Sequence, residues 1–198
     1  PVDIYIHDTY FIVAHLHYVL FGGSLFAIFA GITFWYPKMF GRMMNERINK
    51  VHFAFTFVLY NLVFWPMHNL GLQGMMRRIY DFTQYEYLVP LQPMNRFISI
   101  CVFLLVATQA LYAFNFFWSM FRGEKAGNNP WDSNTLEWTV PSPPPHGNFP
   151  EIPVVYRGPY EYSSPESDTD FLPQTTPPRK LPVQQWIPEP VTPTPEGF

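Results

Sequence analysis

The feature that most constrains the fold is an apolar segment at 10–36 that contains no charged residue. About 20 apolar residues are enough to cross a bilayer as a helix. Two more apolar segments follow at 51–70 and 97–121. The pattern predicts an all-α integral membrane protein with three transmembrane helices. Because the mean hydropathy of the whole chain is nevertheless near zero, the polar residues must be concentrated in other parts of the sequence.

Much of the polar sequence lies in the C-terminal third. Sixteen of the 22 prolines fall between 141 and 198. A segment with so many prolines and so few aliphatic clusters lacks the residues for a core of its own. We therefore predict two regions: 1–122 holds the helices and their loops, and 123–198 is an extended, proline-rich tail on the cytoplasmic side.

The charges predict how the helices are oriented. Six Lys and Arg residues lie in 37–50 and 122–125, whereas the connection at 71–96 carries three. Since cytoplasmic loops are enriched in Lys and Arg, this difference places the His7-Asp8 end outside. The net charge of −3 gives no argument for a nucleic-acid partner, and we expect none.

The cysteine content and the first residues narrow the class further. A single cysteine, Cys101, lies within an apolar segment, so a disulfide framework is excluded. The chain starts Pro1-Val2-Asp3, without an initiator methionine or a basic signal region. We expect this start to lie inside a longer protein.

Two histidines lie near the start of the first apolar segment, where ionisable side chains are costly and mark candidate sites. His15 and His17 are two residues apart. At about 100° per helical residue they point about 200° from each other. They cannot share one metal, but each could bind its own on either side of the helix. Two hydrogen-bonded packing histidines are the alternative, and the spacing alone does not decide between them.

An arginine pair adds to this pattern. Arg77 and Arg78 are adjacent and return to the membrane surface at the level of the two histidines. A haem has an apolar macrocycle, an iron that accepts imidazole, and carboxylates that pair with guanidinium groups. Two snorkelling surface arginines would explain the pair but not its level. The other histidines are scattered and form no cluster: His52, His68 and His146.

The segment 7–19, His-Asp-Thr-Tyr-Phe-Ile-Val-Ala-His-Leu-His-Tyr-Val, resembles the tenth transmembrane helix of haem-copper oxidase subunit I of the cytochrome c oxidase type. Further motifs resemble the same family in the same order, over roughly residues 2–150. They are Trp35-Tyr36-Pro37-Lys38, Gly71-Leu72-Gln73-Gly74-Met75-Met76-Arg77-Arg78, Asn129-Pro130-Trp131, Thr135-Leu136-Glu137-Trp138 and Pro143-Pro144-Pro145.

The resemblance implies roles for both histidines of the first helix. His15 would be the proximal ligand of the high-spin haem, where dioxygen binds. His17 would be one of two axial ligands of the low-spin haem. Leu16 stands where many members of the family have phenylalanine, but the spacing of the two ligands is unchanged.

The same resemblance implies roles for residues near the outer surface. His7 and Asp8 would help to hold a magnesium or manganese ion. Arg77 and Arg78 would bind haem propionates, and Tyr10 would lie near the propionates of the low-spin haem. A carboxylate at Asp8 is similar to cytochrome c oxidases rather than to quinol oxidases.

Taken as a member of this family, the chain would be part of a catalytic subunit of respiratory electron transport. That subunit reduces dioxygen to water and couples the reaction to proton translocation. The resemblance implies two haems of the a type and a copper ion whose ligands lie outside this chain. Implied partners are the rest of subunit I, subunits II and III, cytochrome c and the lipid bilayer, with a bacterial plasma membrane favoured. On this interpretation the chain alone is inactive. A quinol-oxidising relative and a non-redox membrane anchor remain as alternatives.

Overall fold

The computed structural model describes residues 1–165 and 167–178, and the rest of the predicted tail lies outside these residues. The described chain is helical and has isolated β-bridges but no strand. Two compact units are present. The first comprises 1–128 and 141–144; the second comprises 129–140 and the described residues after 144.

The first predicted segment forms helix throughout, but its geometry changes in the middle. After the single turn α1 (Asp3–Ile6), α2 spans Tyr10–Val19, a π-helical turn spans Leu20–Leu25, and α3 spans Phe26–Phe40. A regular helix was expected here. The π turn contains Gly22-Gly23-Ser24, three residues with lower α-helix propensity than alanine or leucine. π turns often lie near functional sites.

Small residues on one face of a membrane helix often let a second helix approach closely, but the glycines of this segment do not all lie at such a contact. A Cβ on Gly23 would meet nothing within 4 Å, and one on Gly31 would meet only Trp35 of the same helix. A Cβ on Gly22, in contrast, would lie 2.8 Å from the Tyr60 hydroxyl. Of these three glycines, Gly22 is therefore the one that a side chain of a second helix approaches closely in the described chain.

α4 spans Glu46–Leu72, longer than the predicted 51–70. Asn45 caps its start, since Asn45 Oδ1 accepts a hydrogen bond from the Ile48 amide at 3.1 Å. The helix continues through Pro66. Among the described helices, the stretches Tyr10–Phe40 and Glu86–Arg122 are long and apolar enough to cross a membrane. α4 is long enough, with 27 residues, but is not apolar enough to be counted with them.

α5 spans Gln92–Arg122, against a predicted 97–121, and packs along α4 through a buried polar seam. His52 Nε2 donates to Gln109 Oε1 at 3.2 Å, and the Gln109 amide donates to Thr56 Oγ1 at 3.1 Å. Nearer the other end of the seam, Asn115 Nδ2 donates to Asn49 Oδ1 at 2.8 Å. Polar side chains that would be costly in lipid are thus satisfied between the two helices.

The second unit differs from the extended tail that was expected. Its one helical turn is Leu136–Trp138, yet it is held together by polar contacts. The buried Arg157 donates to Glu161 Oε1 at 3.2 Å and to the Thr176 carbonyl at 3.2 Å. The Gln174 amide donates to the Asn134 carbonyl at 3.1 Å. Hydrogen bonds to one buried guanidinium thus give order to a proline-rich segment that has few aliphatic residues.

Candidate functional site

The start of α2 is joined to the connection that follows α4. The Arg77 amide donates to the Asp8 carbonyl at 2.8 Å, and the Tyr10 amide donates to the Met75 carbonyl at 2.9 Å. Close packing makes this possible, since any Cβ on Gly71 would overlap the backbone of Phe11. The sequence motif around Gly71 and the histidine-rich helix therefore form one structural corner.

An ion pair lies at the surface of this corner. Arg77 Nε donates to Asp8 Oδ1 at 2.7 Å, and a second guanidinium nitrogen contacts the same oxygen. This hydrogen bond, together with the positive charge of Arg77, holds the pKa of Asp8 below its ordinary value. The two predicted arginines have different surroundings. Arg77 contacts Asp8, whereas Arg78 is exposed and its backbone lies in the left-handed region, with φ 63°.

The two predicted magnesium or manganese ligands, His7 and Asp8, are adjacent, but two side chains do not complete a metal site. His7 is exposed, and its Nδ1 donates to the Ile4 carbonyl at 2.8 Å. Asp8 keeps lone pairs beyond those used by Arg77, because a carboxylate offers about four. Within the described residues no group of three or more His, Cys, Asp and Glu side chains could hold a metal ion. The pair fits such an ion only as part of a larger ligand set.

His17 is held by two contacts that leave one ring nitrogen available. Its Nδ1 donates to the Val13 carbonyl at 2.7 Å. Its ring stacks on Phe64 of α4, with centroids 4.6 Å apart and an angle of 19° between the planes. Since Nδ1 carries the proton, Nε2 presents its lone pair, and metal-bound histidines are oriented by the same kind of hydrogen bond.

His15 lies on the other side of α2. The α-helix is regular from Tyr10 to Val19, so the angle of about 200° between the two side chains is retained. His15 is exposed, and Ala14 beside it is fully buried against the rest of the unit. The apolar residues Leu16 and Val19 next to the histidines are exposed, 46% and 55%. Both imidazoles and their apolar surroundings fit the faces of a haem.

Phe64 and His68 belong to the same corner, although the sequence analysis predicted no role for Phe64 and placed His68 among the scattered histidines. The His68 ring lies 4.8 Å from Phe11 and 5.5 Å from Tyr18, and its Nδ1 donates to the Phe64 carbonyl at 3.1 Å. The spacing of four residues between them is the signal that could have found them, since it places both side chains on one face of α4.

The remaining candidates have other surroundings. Tyr10 is half-buried against the hydrophobic core of the first unit. His52 is buried in the seam between α4 and α5. His146 is exposed and belongs to the second unit.

Comparison with known proteins gives consistent matches. A family model described as cytochrome c and quinol oxidase polypeptide I matches residues 1–104. Cytochrome c oxidase subunit 1 of Synechocystis sp. is 52% identical over 174 residues, which are 87% of this chain and 30% of that protein. The alternative cytochrome c oxidase subunit 1 of Bradyrhizobium diazoefficiens is 41% identical over 186 residues, 92% of this chain and 32% of that protein.

A third relative, cytochrome c oxidase subunit 1 of Bacillus subtilis, is 44% identical over 154 residues, 77% of this chain and 24% of that protein. The chain thus spans between 24% and 32% of the length of these three relatives. The matched residues include the whole corner formed by α2, α4 and the connection after α4. The chain belongs to the cytochrome c and quinol oxidase polypeptide I family.

Proposed function

We propose that this chain forms part of the catalytic subunit of a cytochrome c oxidase. His17 holds a low-spin haem and His15 holds the high-spin haem at which dioxygen is reduced to water. The observation that carries the proposal is the arrangement of two exposed imidazoles on opposite sides of one regular helix. The haems, when bound, supply the electron-transfer and oxygen-reducing chemistry. We take them to be of the a type.

The residues around His17 orient its ring before a ligand is bound. The hydrogen bond to Val13 fixes the tautomer, and the stack on Phe64 limits rotation of the ring. Exposed apolar residues on α2 offer contact to a macrocycle and exclude water. His15 and His17 share one rigid helix, so the distance between the two ligands is fixed.

The corner at the start of α2 supplies charge. Arg77 and Arg78 pair with haem propionates, with Asp8 holding Arg77 in place, and Tyr10 lies nearby. His7 and Asp8 contribute to a magnesium or manganese site completed by residues outside this chain. The carboxylate of Asp8 and the names of the relatives favour cytochrome c over quinol as the electron donor.

We infer that α4 is a third membrane helix. Its polar residues face neighbouring helices: His52 and Thr56 contact α5, and Asn61 and His68 contact α2. Several of its outward side chains are apolar and more than half exposed: Phe53, Phe55, Phe57, Val58 and Trp65. The seam lowers the hydropathy of α4, while its own polar groups are hydrogen-bonded between α4 and α5. The proposed location is a bacterial plasma membrane, with the His7-Asp8 end outside and the second unit in the cytoplasm.

The whole subunit reduces dioxygen with a copper ion and translocates protons, together with the rest of subunit I and subunits II and III. Within the described residues no histidine cluster could hold the copper ion. We therefore expect this chain alone to be inactive.

The test is the absorption spectrum of the membrane-embedded oxidase that contains this chain. His17→Ala should remove the low-spin haem signal, and His15→Ala should remove the high-spin signal. His146→Ala, which replaces an exposed histidine of the second unit, is the control and should change neither. If both haem signals persist in the His15 and His17 variants, the proposal is wrong and a non-redox anchor is favoured.

A further inference from the structure

A groove lies at the end of the α4–α5 pair that is opposite the histidine corner. Its volume is about 370 Å³, and it is lined by the loop before α4, the first residues of α4 and the last turn of α5. Arg47, Trp118 and Arg122 are among its lining residues. It lies wholly within the first unit and has no part in the proposed haem site.

The frame of the groove is fixed by hydrogen bonds to backbone carbonyls. The Met43 amide donates to the Glu124 carbonyl at 2.8 Å, and the Ala126 amide donates to the Gly41 carbonyl at 3.0 Å. Arg42 donates to the Gly123 carbonyl at 2.6 Å. The loop between α3 and α4 is thus tied to the segment that follows α5. The shape of the groove is therefore set by hydrogen bonds between its two walls.

Two arginines of the groove hold no carboxylate in a direct ion pair within the described residues. Arg47 and Arg122 are exposed, and neither side chain makes an ion pair within the part of the chain that the structure describes. Two glutamates, Glu46 and Glu124, also line the groove. Glu46 pairs with Lys50 at 2.8 Å, whereas Glu124 makes no ion pair in the described residues, so the positive charge of this region comes from the surrounding Lys and Arg residues as well. Six Lys and Arg residues stand against two Glu in 37–50 and 122–125. The end of the helix pair is therefore net positive and suited to an anion.

The surface below each arginine is apolar. Residues four apart lie on the same face of a helix. Counting from Arg122 along α5, Trp118 and then Phe114 are 41% and 56% exposed. Counting from Arg47 along α4, Val51 and then Phe55 are 45% and 58% exposed. Each helix therefore presents a cation at its end and apolar side chains beyond it, and on α5 an indole lies between them.

This order of side chains matches one kind of molecule. An anionic glycerophospholipid has a phosphate headgroup, an interfacial glycerol region and apolar acyl chains. Arginine pairs with phosphate, tryptophan favours the membrane interface, and basic pockets between membrane helices bind anionic headgroups. We propose that the groove formed by Arg47, Trp118 and Arg122 binds an anionic phospholipid such as phosphatidylglycerol. The proposal rests on the membrane embedding of the proposed function.

The experiment uses the intrinsic fluorescence of Trp118. The oxidase that contains this chain is reconstituted in phosphatidylcholine nanodiscs with a minor fraction of either brominated phosphatidylglycerol or brominated phosphatidylcholine. Bromine quenches a nearby indole, and the signal of Trp118 is the difference between wild type and Trp118→Phe. We expect stronger quenching by the brominated phosphatidylglycerol.

The variants Arg47→Gln and Arg122→Gln should each reduce the preference for the anionic lipid about fivefold, the effect of one basic residue at a membrane surface. Lys125→Gln, at the same end, and Arg96→Gln, in the first turns of α5, are matched controls that remove one charge elsewhere. Both should keep the preference. Equal losses in all four variants would show a general surface potential and overturn the site.

Two further outcomes would also overturn the proposal. If neither brominated lipid quenches Trp118, the groove is covered by protein in the assembly. If soluble glycerol phosphate relieves the quenching, the groove binds a free phosphate rather than a lipid. The haem spectrum of the same sample separates this proposal from the proposed function. Normal haem signals without a lipid preference would refute the lipid site alone. A preparation that lacks haem and does not insert into bilayers would refute both the lipid site and the proposed function.

Discussion

Gly71 is the position where one added methyl group should do most damage to the corner. Gly71 belongs to α4 and is buried, and its Cα faces the backbone of Phe11 at the start of α2. A Cβ there would lie 2.7 Å from Phe11 Cα and still closer to its amide nitrogen, whereas ordinary contact begins at 3.4 Å. The two backbones must therefore separate by at least 0.7 Å, the difference between these two distances.

Neither backbone can yield by a simple change of rotamer, so the separation must move whole helices. Overpacking of this kind costs about 1–3 kcal/mol. We expect Gly71→Ala to lower the thermal unfolding temperature of the purified membrane-embedded complex. We also expect it to weaken the contact of Arg77 with Asp8, because the hydrogen bonds around that ion pair depend on the same close approach.

Gly23→Ala is the matched control, since its Cβ would meet nothing within 4 Å in the described chain. Alanine favours helix over glycine by about 0.5–1 kcal/mol, so this variant should be neutral or slightly more stable. Equal melting temperatures for Gly71→Ala and Gly23→Ala would refute the packing argument.

Three other predictions follow from single contacts. Arg77→Gln should raise the pKa of Asp8 toward its ordinary value. A lowered carboxylate pKa stabilises the fold at higher pH, and this stabilisation disappears as the pH falls through that pKa. The free energies of unfolding of wild type and R77Q should therefore converge as the pH is lowered. A difference that stays constant with pH would contradict the ion pair. Phe64→Leu should alter the low-spin haem spectrum through His17 while the high-spin signal stays unchanged, and spectra in which both signals change equally would speak against the stacking role. Gln109→Leu should destabilise the helix pair by about 0.6–1.7 kcal/mol, the range for hydrogen bonds between membrane helices, as measured by chemical unfolding in detergent; an unchanged midpoint would show that the seam carries no stability.

The sequence predicted that helices exist, but it did not predict all of their limits. The apolar run indicated the end of α5 to within one residue, but placed its start five residues late, because its first turn is polar. The start of α4 was placed too late, since its first turn is charged and depends on the Asn45 cap. The π turn at Leu20–Leu25 was missed because an apolar run has the same composition whether its helix is α or π.

The candidate site was predicted in part. The opposite directions of His15 and His17 follow from local helix geometry, which the sequence determines, and α2 has that geometry. The partner of Arg77 was not foreseen, because contact with Asp8 joins residues 69 positions apart. The stack of His17 on Phe64 likewise depends on how two helices meet, which single-sequence patterns do not contain.

The order in the second unit could not be read from composition. Proline content predicted an extended tail without a core of its own. Among the described residues of this unit, Leu136–Trp138 is the one helical turn. The buried Arg157 and its partners lie up to 19 positions apart. Such a polar cluster leaves no periodic signal, since it depends on loop conformation rather than on a repeating face.

A density map of the membrane-embedded oxidase that contains this chain would test the central claim most directly. We expect two separate porphyrins on opposite sides of α2, with the iron of one bonded to His15 Nε2 and the iron of the other bonded to His17 Nε2. A map in which either imidazole faces lipid or protein, with no porphyrin beside it, would contradict the account.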